Sequence, residues 1–158
     1  MKLNRVEIRA EEVPLPSWTK KAESFVQKVL SSLGHKNWDL SVLFCDNRYI
    51  KSLNAKYRDK DEATDVLSFP IGEKSKSGRF IAGDIVLSLD ALEENSKYFR
   101  ITTDEELRRL LIHAILHLSG GEHGNNKAKE PMIKNQEEIL DRLKGETIIP
   151  KPANGEQK

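Results

Sequence analysis

The spacing of apolar residues changes period several times along the chain, and each change marks an element. Val6-Glu7-Ile8-Arg9 alternates apolar and charged positions, which predicts a short half-buried strand before the break at Pro14 and Pro16. From Trp18 onward, Ala22, Phe25, Val26, Val29, Leu30 and Leu33 recur at helical spacing, with Ser17 in the N-cap position and Gly34 just past the end. Trp38, Leu40, Val42 and Phe44 alternate as a strand does, and Asp46 is placed to cap a helix carrying Ile50, Leu53 and Tyr57. Val66 to Phe69 predicts a strand ending at Pro70, and Phe80 to Leu87 a longer one. The glycine-bearing stretch Ile71 to Arg79 between them reads as a solvated hairpin loop. Helical patterns follow over 90–99, 103–119 and 131–144, then a polar tail over 146–158. About four strands and about five helices, in an order that is not strand-helix alternation, predict an α+β fold. It should form a single domain over 1–145 with one mixed sheet.

Composition sharpens this only in part. The chain has 158 residues, of which 32% are charged and 37% hydrophobic, the signature of a globular domain with a heavily charged surface. Lys and Arg number 26 against 25 Asp and Glu, so a net charge of +1 neither announces nor excludes a nucleic-acid partner. One cysteine, Cys45, cannot make an internal disulfide, and the opening residues do not read as a signal peptide, so a cytoplasmic setting is expected. No window approaches the ~18 consecutive apolar residues of a membrane-spanning helix, so no membrane role is expected.

Chemistry concentrates in one place. Three of the four histidines lie in the run His113-Ala114-Ile115-Leu116-His117-Leu118-Ser119-Gly120-Gly121-Glu122-His123. Thr103 and Glu106 form a capping-box pattern opening a helix whose buried face is Leu107, Leu110, Leu111, Ala114, Ile115 and Leu118. His113 and His117 then stand one turn apart on the same side, close enough to share a metal ion. Gly120-Gly121 allows a sharp turn that can return His123 as a third ligand. Three imidazoles leave a coordination position open for water, as a catalytic centre requires. Zinc is the first choice, and nickel, cobalt or copper would fit the same nitrogens. A structural site is the weaker alternative, because the groups that would close it, Cys45 and His35, belong to other elements. The spacing also resembles H-x-x-x-H-x-x-G-x-x-H of the metzincin proteases, but Ala114 stands where they place a general-base Glu.

The run His113 to His123 resembles the H-G-x-L-H-L-x-G-y-D-H signature of the YbeY endoribonuclease family. Asn54 to Pro70 is similar to that family's N-x-x-Y-R-x-x-D-x-x-T-D-V-L-S-F-P block, and Gly83-Asp84-Ile85-Val86-Leu87-Ser88 to its G-D-I-x-I-S strand. The resemblance implies a mixed sheet packed with helices and a metal-dependent endoribonuclease specific for single-stranded RNA. Such an enzyme would mature the 3′ end of small-subunit (16S) ribosomal RNA and serve ribosome quality control. Small-subunit ribosomal proteins and an assembly GTPase are its implied partners. His113, His117 and His123 carry over as metal ligands, and Arg58 as the basic residue of the active-site cleft. Ala114, Gly121 and Glu122 depart from the family's Gly, aromatic residue and Asp.

RNA cleavage needs a nucleophile and stabilisation of the charge that grows on phosphorus. Zinc lowers the pKa of bound water to about 7, which fits a site with no Glu at position 114. Arg58 would grip phosphate oxygens through its planar fork; the bland alternative pairs it with Asp59, Asp61 or Asp65. Glu122 is a candidate for orienting a water or a histidine. Lys56 and Lys60, with Lys74, Lys76 and Arg79 beyond them, are candidates for a phosphate track. The rival readings are another metal-dependent hydrolase, a peptidase or phosphoesterase, and a ribosome-assembly RNA-binding factor whose metal is structural.

Overall fold

A computed structural model describes residues 3–120 and 126–151. In chain order the elements are β1 (Arg5–Ala10), α1 (Thr19–Ser32), β2 (Trp38–Cys45), α2 (Asn47–Arg58), β3 (Val66–Lys74), β4 (Phe80–Ser88), α3 (Leu89–Phe99), α4 (Thr103–Leu118) and α5 (Asn126–Arg142). One four-stranded sheet has the order β1-β2-β4-β3, parallel except for the antiparallel β3–β4 hairpin at its edge. The fold is therefore α+β with a mixed sheet, as the order of periods predicts.

The strands' placement explains how the sequence departs from simple alternation. β2 lies between two parallel neighbours and is buried along nearly its whole length. Leu40, Val42 and Phe44 join the main core with α1 and α4, while Leu43 and Cys45 are covered on the other face together with Ile50 of α2. A strand buried on both faces loses its polar positions.

β3 does not stop at Pro70 but runs on to Lys74, shortening the expected loop. Proline is tolerated because β3 is an edge strand, whose register shifts between Pro70 and Glu73. Opposite it, Gly83 has φ of +144°. A Cβ there would fall 2.3 Å from the Phe69 carbonyl oxygen and 3.0 Å from both Leu118 Cδ2 and Pro70 Cα. The absence of a side chain lets the C-terminal end of α4 press against the sheet.

α4 is the central helix, with Leu107, Leu111, Ile112, Ala114 and Ile115 fully buried. Its cap is Thr102, one residue before the expected Thr103; Thr102 Oγ1 accepts from the Glu105 N–H at 3.0 Å. The carboxylates Asp104, Glu105 and Glu106 in the first turn face the positive end of the helix dipole. α1 likewise starts differently, at N-cap Trp18 with no side-chain cap, whereas Asp46 caps α2 as expected by accepting from Tyr49 N–H at 2.9 Å.

The stretch after α5, read as polar tail, is anchored at its start. Ile148 is fully buried, and Asp104 Oδ1 accepts from the N–H groups of Ile148 and Ile149 at 2.6 and 2.8 Å. Asp104 Oδ2 takes the Arg108 guanidinium at 2.9 Å. The carboxylate thus satisfies two backbone donors and one cation away from water.

Candidate metal centre and RNA cleft

His113 and His117 project from successive turns of α4 toward β3, whose Ser68 Oγ donates to the Ala114 carbonyl at 3.3 Å and ties strand to helix. The two Nε2 atoms lie 3.0 Å apart, with ring centroids at 4.5 Å. Zn–N bonds of about 2.0–2.1 Å place tetrahedral ligands roughly 3.3 Å apart, so these imidazoles meet with the spacing of ligands to one ion. His113 Nδ1 lies 2.7 Å from Gln136 Oε1 on α5. The amide oxygen can only accept, so this contact is a hydrogen bond when Nδ1 carries a hydrogen, the tautomer that would leave the Nε2 lone pair on the side of His117. Donor type, spacing and tautomer therefore fit a divalent transition ion. His123 and Glu122 lie outside the described residues, and among the described residues no three His, Cys, Asp or Glu side chains converge.

The histidines form one wall of a cleft of about 350 Å³ whose other walls include Arg58, Thr64, Asp65 and Ser68. Arg58 ends α2, where Asp59 adopts a left-handed conformation that turns the chain away. Its Nη2 donates to the Ser68 carbonyl, and its guanidinium stacks 5.3 Å from the Phe69 ring centre. Among the described residues it makes no ion pair, so Asp59, Asp61 and Asp65 do not claim it. Asp65 instead accepts from Asn95 Nδ2 at 3.1 Å. Arg58 is exposed where it lines the cleft, and the Ser68 carbonyl takes one of its five N–H groups.

The pattern of the family described as "Endoribonuclease YbeY" matches residues 5–144. The chain belongs to this family. A Treponema denticola protein named Endoribonuclease YbeY is 48% identical over 132 residues, covering 81% of this chain and 85% of its own. A namesake from Treponema pallidum is 40% identical over 142 residues, covering 87% and 89%. A solution structure of a Thermotoga maritima protein superposes with a TM-score of 0.60 at 30% identity, over 89% of this chain and 90% of that one.

For a member of the YbeY family, the basic candidates separate into two groups. Lys60 lines a second cavity, of about 320 Å³, that shares Arg58 and Thr64 with the cleft, and Lys56 is exposed with its ammonium 5.2 Å from the Tyr57 ring centre. Lys74, Lys76 and Arg79 do not line the cleft. Arg79 is a structural tie: Nε to Asp39 at 2.6 Å, Nη1 to Asn37 at 2.6 Å, and Nη2 to the carbonyls of Leu3 and Trp38. With its donors spent, it has little left for phosphate.

The candidates set aside in the sequence lie elsewhere. Cys45 is fully buried on the α2 face, and burial with the nearby carboxylates of Asp46 and Asp90 pushes its thiol up to about 12. His35 stacks on Trp38 at 3.7 Å, and its Nε2 lies 2.9 Å from Ser119 Oγ, a hydroxyl that donates to the Ile115 carbonyl and so accepts from His35. Burial lowers the His35 pKa. Protonation is then less favourable in the folded state, so its contribution is complete above the ordinary value of about 6.5 and declines as pH falls through the lowered one. Replacing His35 with phenylalanine, which keeps the stacking, is expected to flatten the rise of stability with pH below the ordinary histidine value of about 6.5 in urea denaturation. An unchanged slope would contradict the assignment.

Among the described residues no helix is long and apolar enough to cross a membrane. Gln136, the side chain that meets His113, is not marked by any motif in the sequence. The available signal was a polar residue on the apolar stripe of α5 formed by Met132, Ile139 and Leu140.

Proposed function

We propose that this chain is a divalent-metal-dependent endoribonuclease that cuts single-stranded RNA, acting on the 3′ end of small-subunit ribosomal RNA and in ribosome quality control. Zinc is the first candidate ion, held by His113, His117 and His123. The observation that carries the reading is the convergence of two imidazole Nε2 atoms at 3.0 Å on one wall of a cleft that has Arg58 on its rim. The relatives named Endoribonuclease YbeY support RNA as the substrate.

When bound, such an ion supplies an acidic water and a positive charge close to the scissile phosphate. The chain's own side chains do the placing. Arg58, steadied by the Ser68 carbonyl and the Phe69 ring, offers its remaining N–H groups to non-bridging phosphate oxygens. Lys60 and Lys56 extend positive charge from the rim for neighbouring phosphates. Backbone pairing of β3 and β4 keeps the wall fixed while a flexible strand conforms to it. Delivery of the RNA by small-subunit ribosomal proteins and an assembly GTPase belongs to the same reading.

Single-turnover cleavage of a labelled single-stranded RNA tests this. Chelation should abolish cleavage, and zinc or nickel should restore it. Arg58→Ala should slow it about a hundredfold, near 2.7 kcal/mol in the transition state, and Arg58→Lys should recover only part. RNA binding without cleavage under any ion would favour the assembly-factor reading, and peptide or simple phosphoester turnover would favour another hydrolase.

A further inference from the structure

The Gln136 contact is the inner end of a longer chain of hydrogen bonds. Gln136 is 8% exposed and lies on α5, 23 positions beyond the histidine it meets. Its Nε2 donates to Glu137 Oε2 at 3.1 Å, which leaves Oε1 as the atom facing His113. Glu137 receives Arg109 through two bonds, Nε to Oε2 at 2.9 Å and Nη2 to Oε1 at 3.2 Å. Arg109 also reaches Glu105 Oε2 at 3.0 Å and Glu106 Oε1 at 3.5 Å. Asn95 Nδ2 bridges Glu106 Oε2 and Asp65 Oδ2, each at 3.1 Å. Asp65 lines the cleft. The network leaves one wall of the cleft at His113 and returns to another at Asp65.

A ligating histidine needs one nitrogen free of hydrogen and a ring that does not rotate, and an acceptor on the opposite nitrogen supplies both. Gln136 is such an acceptor, and it is itself held by a carboxylate locked in a forked pair with arginine. We propose that Gln136 is a positioning residue. It fixes His113 in the Nδ1–H form so that Nε2 is presented to a divalent cation, and the Glu137–Arg109 pair prevents its amide from flipping. The part concerning the cation rests on the reading under Proposed function; the tautomer does not.

Long-range ¹⁵N–¹H NMR of the metal-free full chain in alkaline buffer reads the tautomer directly. The wild type should show His113 predominantly as Nδ1–H, and Gln136→Leu should lose that preference. Gln136→Glu, which keeps an acceptor in place, should retain it. Zinc competition against a chelating dye should then show Gln136→Leu weakened about 10–100-fold and Gln136→Glu within a few-fold of wild type. A wild-type His113 found mainly as Nε2–H would overturn the proposal even if Gln136→Leu failed to fold. So would a folded Gln136→Leu with unaltered tautomer and affinity. If the wild type binds neither zinc nor nickel, the metal reading fails while the tautomer measurement still decides the role of Gln136.

Discussion

His113→Ala is expected to lower single-turnover cleavage of single-stranded RNA by at least about a thousandfold, or roughly 4 kcal/mol of transition-state stabilisation. The size follows from position. Removing one of two imidazoles whose Nε2 atoms meet at 3.0 Å would leave the proposed cation with too few ligands to neutralise charge on the phosphate. The same change strands the buried Gln136 oxygen, which costs about 1–3 kcal/mol of folding stability. The variant should therefore remain folded by circular dichroism with a lowered melting point. Cleavage within tenfold of wild type by the folded variant would remove His113 from the reaction.

Asp104→Ala is expected to cost about 3–5 kcal/mol in urea denaturation, the range for breaking a buried charge pair from one side. Its carboxylate accepts from Ile148 N–H, Ile149 N–H and Arg108 Nε, and side-chain exposure is only 11% for Asp104 and 10% for Arg108. Alanine leaves two backbone donors and a guanidinium without partners, and the mean contribution of an exposed ion pair, under about 1 kcal/mol, is the wrong comparison. Asp104→Asn should recover part of the loss, because one amide oxygen can still accept from the backbone. A loss below about 1 kcal/mol would show that water replaces the carboxylate at little cost.

Much of the fold was legible because its signals are local. The periods of α1, β2 and α4 and the cap at Asp46 depend on residues a few positions apart, and so does the His113/His117 pair. The errors arose where partners are distant. Val66 to Phe69 reads as a strand ending at Pro70, and only the sheet order shows that β3 is an edge, where a proline can sit and the strand can run on to Lys74. Ile148 and Ile149 fall in the stretch that reads as a polar tail, because their anchor, Asp104, lies 44 and 45 residues earlier. Arg79 is a phosphate-track candidate by sequence, but its four partners, all in the N-terminal half, are distant along the chain. Gln136 carries no motif, and its meaning comes only from the packing of α5 on α4.

The burial of α4 has a consequence for how heat or denaturant would silence the protein. Both imidazoles ride on a helix gripped by the C-terminal segment at one end and wedged against Gly83 at the other, with the main core along its length. Such a helix has no inexpensive partial opening, so its amides should exchange with deuterium only at the rate of global unfolding. The spacing of His113 and His117 would then be lost only with the whole fold, and their Nε2 atoms would stay paired up to the melting transition.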